Sequence, residues 1–183
     1  MKRIMIIGAV GILLGVGLAP AARAQWYAHA SQPDVFGNRT VDAFVVAGSS
    51  GDALVVQCDQ KDALDLAYIF PATPKELDSI GEMSEIPVKL FLKVDNGAVI
   101  TLAATMRGWN STRGGFVVSG RLYATVKAIQ EIGTARTVIG VGVDVAGNKQ
   151  SDNFGATGST TAMQTVIKDC KLADIKPSDA SSN

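Results

Sequence analysis

The chain predicts a mainly β domain, an antiparallel β-sandwich carrying one or two helices, on three observations. Strand-like alternation recurs in short runs, most clearly in Ala53–Phe70 and in Val88–Thr105. Helical periodicity enters only late, so the regular exchange of strand and helix that a doubly wound fold needs is missing. Finally, two cysteines, Cys58 and Cys170, fall on apolar faces of a strand and of the last helix. A disulfide between them would tie the C-terminal helix to the sheet.

The first 24 residues read as a leader. Lys2 and Arg3 form a basic start, Ile4 to Leu18 is uncharged and apolar, and Ala22-Arg23-Ala24 is a small-x-small cleavage site. The apolar run falls short of the ~20 residues that a membrane-spanning helix needs. Export by a cleavable signal peptide follows, with a mature start at Gln25 and a periplasmic or secreted location in a bacterium. No membrane span is expected after cleavage. Residues 25–172 form the expected domain, and 173–183 a flexible polar tail.

Lys2, Arg3 and Arg23 leave with the leader, and the mature 159 residues carry 14 basic against 17 acidic side chains, net −3. Such a chain buries roughly two-thirds of its unfolded surface, enough for one ordinary core. Without a concentrated basic face it lacks the means to displace counterions from nucleic acid. The same lack argues against a polybasic membrane-surface patch.

In chain order, Trp26 to Ala30 is a candidate edge strand and Gln32 to Thr40 a turn-rich loop. Val41 to Ala47 is a short strand closed by Gly48-Ser49-Ser50-Gly51. Leu54, Val56 and Cys58 alternate onto one face, as do Leu64, Leu66, Tyr68 and Phe70 after the polar turn at Asp59–Asp62. Thr73-Pro74-Lys75-Glu76 has the spacing of a capping box, read as a short helix before Gly81 or equally as a loop. Val88 to Val94 and Ala98 to Thr105 flank Asp95-Asn96-Gly97, a signature of a type I′ hairpin. Met106 to Gly115 reads as an exposed loop, and Phe116 to Ser119 resumes as strand. Arg121 to Ile132 shows a helical stripe of Leu122, Val126 and Ile129, with Gly133 placed as its cap. Ala135 to Val145 is β-prone, and its Gly140–Gly142–Asp144 face suggests another element lying close. Ala146 to Gly158 reads as loop. In the last helix Met163, Val166, Ile167 and Cys170 follow i, i+3, i+4, i+7 spacing.

Two cysteines in an exported chain pair most simply as one structural disulfide, Cys58–Cys170. A catalytic or metal-binding thiol is the alternative, but there is no C-x-x-C and only one histidine, His29. That count excludes a zinc site built on several histidines or thiolates. Gly140-Val141-Gly142 is followed by Val145 where a dinucleotide fingerprint needs its third glycine. Asp144, Asn148, Asp152 and Asn153 carry oxygens, but their spacing misses a calcium loop. No metal or cofactor is therefore expected. Asp59, Asp62 and Asp65 are spaced for acid–base work, though a polar turn explains them more simply.

Arg107, Trp109 and Arg113 form the candidate binding surface, because Trp and Arg dominate interface hot spots. The other reading has Trp109 folded back over the end of the sheet. Trp26, the L-V-V-x-C-D strand Leu54–Asp59, the following L-x-L-x-Y strand and the closing segment Phe154–Cys170 resemble exported VasI-like proteins linked with bacterial type VI secretion. More loosely, the chain is similar to small periplasmic proteins of the invasion-associated locus B class. The resemblance implies a non-catalytic accessory domain with an envelope or secretion-system protein as partner. The alternative is a periplasmic hydrolase acting on cell-wall glycan or peptide, which requires two carboxylates roughly 5–10 Å apart in a pocket.

Overall fold

A computed structural model describes residues 25–47, 50–59, 63–82, 86–120, 122–173 and 175. The leader at 1–24, the turn residues 60–62 and the tail from 176 onward lie outside the described residues. Nine strands and three helices follow in the order β1 (Tyr27–Ala30), β2 (Thr40–Val46), β3 (Ala53–Asp59), β4 (Leu64–Pro71), α1 (Pro74–Glu82), β5 (Ile86–Val94), β6 (Ile100–Asn110), β7 (Arg113–Ser119), α2 (Tyr123–Thr134), β8 (Val138–Val145), β9 (Asn148–Gly155) and α3 (Ser159–Asp169). All pairings are antiparallel, in the spatial order β1-β2-β3-β4-β7-β6-β5-β8-β9. The strands thus belong to one continuous sheet. It curls far enough for β4 to meet β9: the Tyr68 hydroxyl donates to Asp152 at 2.5 Å across the concave face.

Period-2 alternation decides what fills that face. Leu54, Val56 and Cys58 of β3 stand opposite Tyr68, Leu66 and Leu64 of β4, and all six are buried. Leu90 and Leu92 continue the layer through Val143 and Val141 of β8. Two helices close it. α3 crosses β1, β2 and β3, while α2 lies over β5 and β6 and packs along α3. Val126, Ile129 and Ile132 of α2 and Met163 and Val166 of α3 complete one apolar core. The Cys58–Cys170 disulfide ties the end of α3 to the sheet with a Cα–Cα distance of 6.2 Å. Both cysteines are buried, as their facings predict.

Several expectations change. Met106–Gly115 is a hairpin, with only Ser111 and Thr112 between β6 and β7. Its glycines suggested loop, but all three are strand residues: Gly108 faces open space, whereas Gly114 and Gly115 are crowded. A Cβ on Gly114 would meet the Phe70 ring at 2.6 Å, and one on Gly115 would meet Ile69 at 3.2 Å. Residues 148–155, read as loop for their polarity, form β9, an edge strand. Charged and polar side chains suit an edge because they discourage further pairing. The two-residue hairpin turn sits there too, with positive φ at Ala146 (51°) and Gly147 (89°). At Asp95-Asn96-Gly97 only Asp95 has positive φ, and pairing resumes at Leu92–Ile100, so that loop is longer than a type I′ turn. Its Asp95 carboxylate instead accepts the backbone N–H groups of Arg136, Thr137 and Val138 and the Thr137 hydroxyl. Gly133 lies within α2, whose cap is Ala135. Its use is a close approach, since a Cβ there would meet Met163 at 3.1 Å. Gly140 and Gly142 contact only their flanking strands, β5 and β9.

Candidate functional site

The capping box at Thr73 forms as the sequence predicts. The Glu76 carboxylate accepts from the Thr73 backbone N–H at 2.7 Å and from its hydroxyl at 2.8 Å. This fixes α1 over the open end of the curled sheet, where it contacts β6 and β7. Between α1, the sheet and the β8–β9 hairpin lies a cleft of about 840 Å³. Phe70, Ile80, Met106 and Phe116 supply its apolar wall. The buried Tyr68 and the half-buried Asp52 contribute polar groups, and the exposed Lys75, Glu76, Asn148 and Gln150 stand at its rim.

The electrostatics centre on Asp52. Burial pushes its pKa up, and the hydrogen-bonding and charge of Asp152 push it further the same way. A hydrogen bond from Ser50 and the charge of Arg113 act in the opposite sense. Burial likewise raises the Tyr68 hydroxyl, joined by its hydrogen bond to Asp152 and the charge of Asp52. Asp52, Tyr68 and Asp152 thus meet from the residue just before β3, from β4 and from β9. Of the two acids, Asp52 lines the cleft, and Asp152 stands behind it as the acceptor for Tyr68.

No family model, curated protein or solved structure matches the chain.

The residues singled out in the sequence lie elsewhere. Arg107 and Trp109 are strand residues on the outer face of the sheet. Arg107 donates to Asp65 at 2.9 Å. Trp109 is half-buried against a small outer cluster of Ala53, Ala67, Ile69 and Val117. Arg113 reaches along the sheet end to donate to the Gly51 carbonyl at 2.6 Å. Asp59 accepts from the Ala63 N–H, and Asp65 is held by Arg107, so these acids do not converge; Asp62 lies outside the described residues. Asp144 caps its own turn through the Gly147 N–H. His29 is exposed on β1. Among the described residues no three His, Cys, Asp or Glu side chains gather as a metal site.

Asp52 and Asp152 were missed as a pair because 100 residues separate them. A signal for one half existed. Tyr68 falls on a core-facing strand position, and a buried phenol requires a hydrogen-bond partner. The chain had to bring an acceptor to it.

Proposed function

We propose that this chain is a non-catalytic, exported periplasmic binding protein whose ligand seat is the cleft between α1 and the β8–β9 hairpin. One observation carries the reading: an apolar, aromatic wall and a small set of polar groups converge on one concavity, the usual composition of a ligand pocket. Arg107, Trp109 and Arg113 are all engaged within the chain, which favours the cleft over that outer surface. The resemblance to VasI-like exported proteins supports an accessory role beside an envelope or secretion-system protein.

A titration with neutral aromatic fragments, phenol and indole, followed by NMR of the mature chain tests the seat. Shifts clustered on Phe70, Ile80, Met106 and Phe116 are the expected result. Shifts scattered over the surface, or none, would remove the cleft from consideration.

The hydrolytic reading has one observation in its favour, since two acids do come together here. A glycosidase needs both carboxyl groups facing the substrate, whereas Asp52 alone of the two lines the cleft. Asp152 is committed to Tyr68. Release of soluble fragments from purified peptidoglycan, lost in Asp52→Asn, would establish that reading in place of binding.

A further inference from the structure

We propose that the cleft takes an alkylammonium cation, with its charge against Asp52 and its alkyl groups against Tyr68, Phe70 and Phe116. This rests on the cleft being a binding seat, and it specifies the chemistry of what sits there. Two independent features of the lining point to the same class. The first is the aromatic wall: Phe70 and Phe116 have ring centroids 5.1 Å apart, and Tyr68 stacks on Phe116 at 6.1 Å. Aromatic rings attract cations electrostatically and accept alkyl groups apolarly, which is how quaternary ammonium groups are commonly held. The second is Asp52, a carboxylate partly withdrawn from water with a second acid behind it.

Other ligand classes fit less well. A neutral apolar molecule would satisfy the rings yet desolvate Asp52 without giving it a partner, which is unfavourable. An anion would be repelled by Asp52 and Asp152 together. A hard metal cation needs several oxygen ligands, typically about six to eight for calcium. Among the described residues only Asp52 and the rim residue Glu76 bring carboxylates to the lining. Lys75 stands beside Glu76 at the exposed rim, and the two charges offset each other there. Arg113 also carries positive charge towards Asp52, but its guanidinium is held by the Gly51 carbonyl. A cationic head with an apolar surround is what remains.

Choline and 3,3-dimethyl-1-butanol provide the test, because the alcohol replaces the cationic nitrogen by carbon at nearly constant shape. Amide shifts of Asp52, Tyr68, Phe70 and Phe116 in the mature chain are followed during each titration. Choline is expected to bind more tightly than the alcohol by roughly tenfold. Asp52→Asn should bring choline down to the affinity of the alcohol. Asp78→Asn, which removes a charge from α1 outside the cleft, should leave it unchanged. Equal binding of choline and alcohol to the unaltered protein overturns the cation class while leaving the cleft as a seat. Silence to both, in protein whose cleft responds to phenol or indole, also overturns the cation class alone. Silence to all four compounds overturns the seat itself.

Discussion

Replacing Cys58 and Cys170 together by alanine removes the one covalent tie between α3 and the sheet. The bridge closes a loop of 112 residues. In the loop-entropy description, a closure of that length restricts the unfolded chain by about 4–5 kcal/mol, and measured losses start nearer 2 kcal/mol. A further loss comes from packing, since both side chains are buried in the core. The folded state should respond unevenly. β3 and β4 stay paired on both sides, whereas α3 keeps its apolar face, built on Ala162, Met163 and Val166, with the Arg39–Asp169 ion pair and the Thr160–Gly133 hydrogen bond. Denaturant titration gives the global loss, and native-state hydrogen exchange gives its distribution. Amides of Ser159–Asp169 are expected to lose protection beyond the global change, while those of Leu66–Tyr68 follow the global value. A global loss below about 0.5 kcal/mol would refute the entropy reasoning. Uniform loss of protection across α3 and β4 would refute the view of the bridge as a local tether.

Gly114→Ala places a methyl group 2.6 Å from the Phe70 ring. It should destabilise the fold by about 1–3 kcal/mol, read by thermal unfolding, and weaken cleft binding by displacing that ring. Asp52 has a folded-state pKa above its ordinary 3.8, so its contribution to stability is fully present below 3.8 and is lost as pH rises through the folded value. Asp52→Asn should therefore unfold at a higher temperature than the parent at pH 7, with the difference shrinking towards pH 4. Asp95 behaves oppositely, because the N–H groups of residues 136–138 and the Thr137 hydroxyl hold its pKa well below 3.8. Its contribution is present above 3.8 and lost as pH falls towards the folded value. Asp95→Ala should be less stable at pH 7 and should flatten the acid limb of the stability profile. For export, N-terminal sequencing of the protein recovered from a bacterial periplasm should begin at Gln25. An intact Met1 there would refute cleavage.

Wherever side chains alternated against one buried face, the sequence was easy to read. β3 and β4 followed from Leu54, Val56 and Cys58 and from Leu64, Leu66 and Tyr68, and α3 from Met163, Val166 and Cys170. The pairing of the two cysteines followed from their number in a chain read as exported, and their buried facings agree with it. β9 was illegible for a physical reason: an edge strand buries little, and Asn148–Asn153 is polar throughout. Gly114 and Gly115 misled similarly, because glycine marks a turn in one setting and a crowded strand in another. Only the tertiary neighbours Phe70 and Ile69 separate the two. The cleft was the least legible feature of all. Its polar residues come from a tight turn, a core-facing tyrosine and a strand read as loop. No local pattern joins them, and only the curl of the sheet does.

Trp26 adds a constraint on timing. Its indole N–H donates to the Gly155 carbonyl, 129 positions away, and its backbone N–H to Thr157. The ring is buried between the start of the sheet and the beginning of α3. A chain that crosses a membrane N-terminus first delivers Trp26 early and its acceptors late. Until residue 157 has emerged, a large indole has no native berth and stays open to whatever binds unfolded chains. Contacts of such long sequence separation also form slowly. In a chain delivered that way this seam is supplied late, after most of the described residues and just ahead of α3 and Cys170.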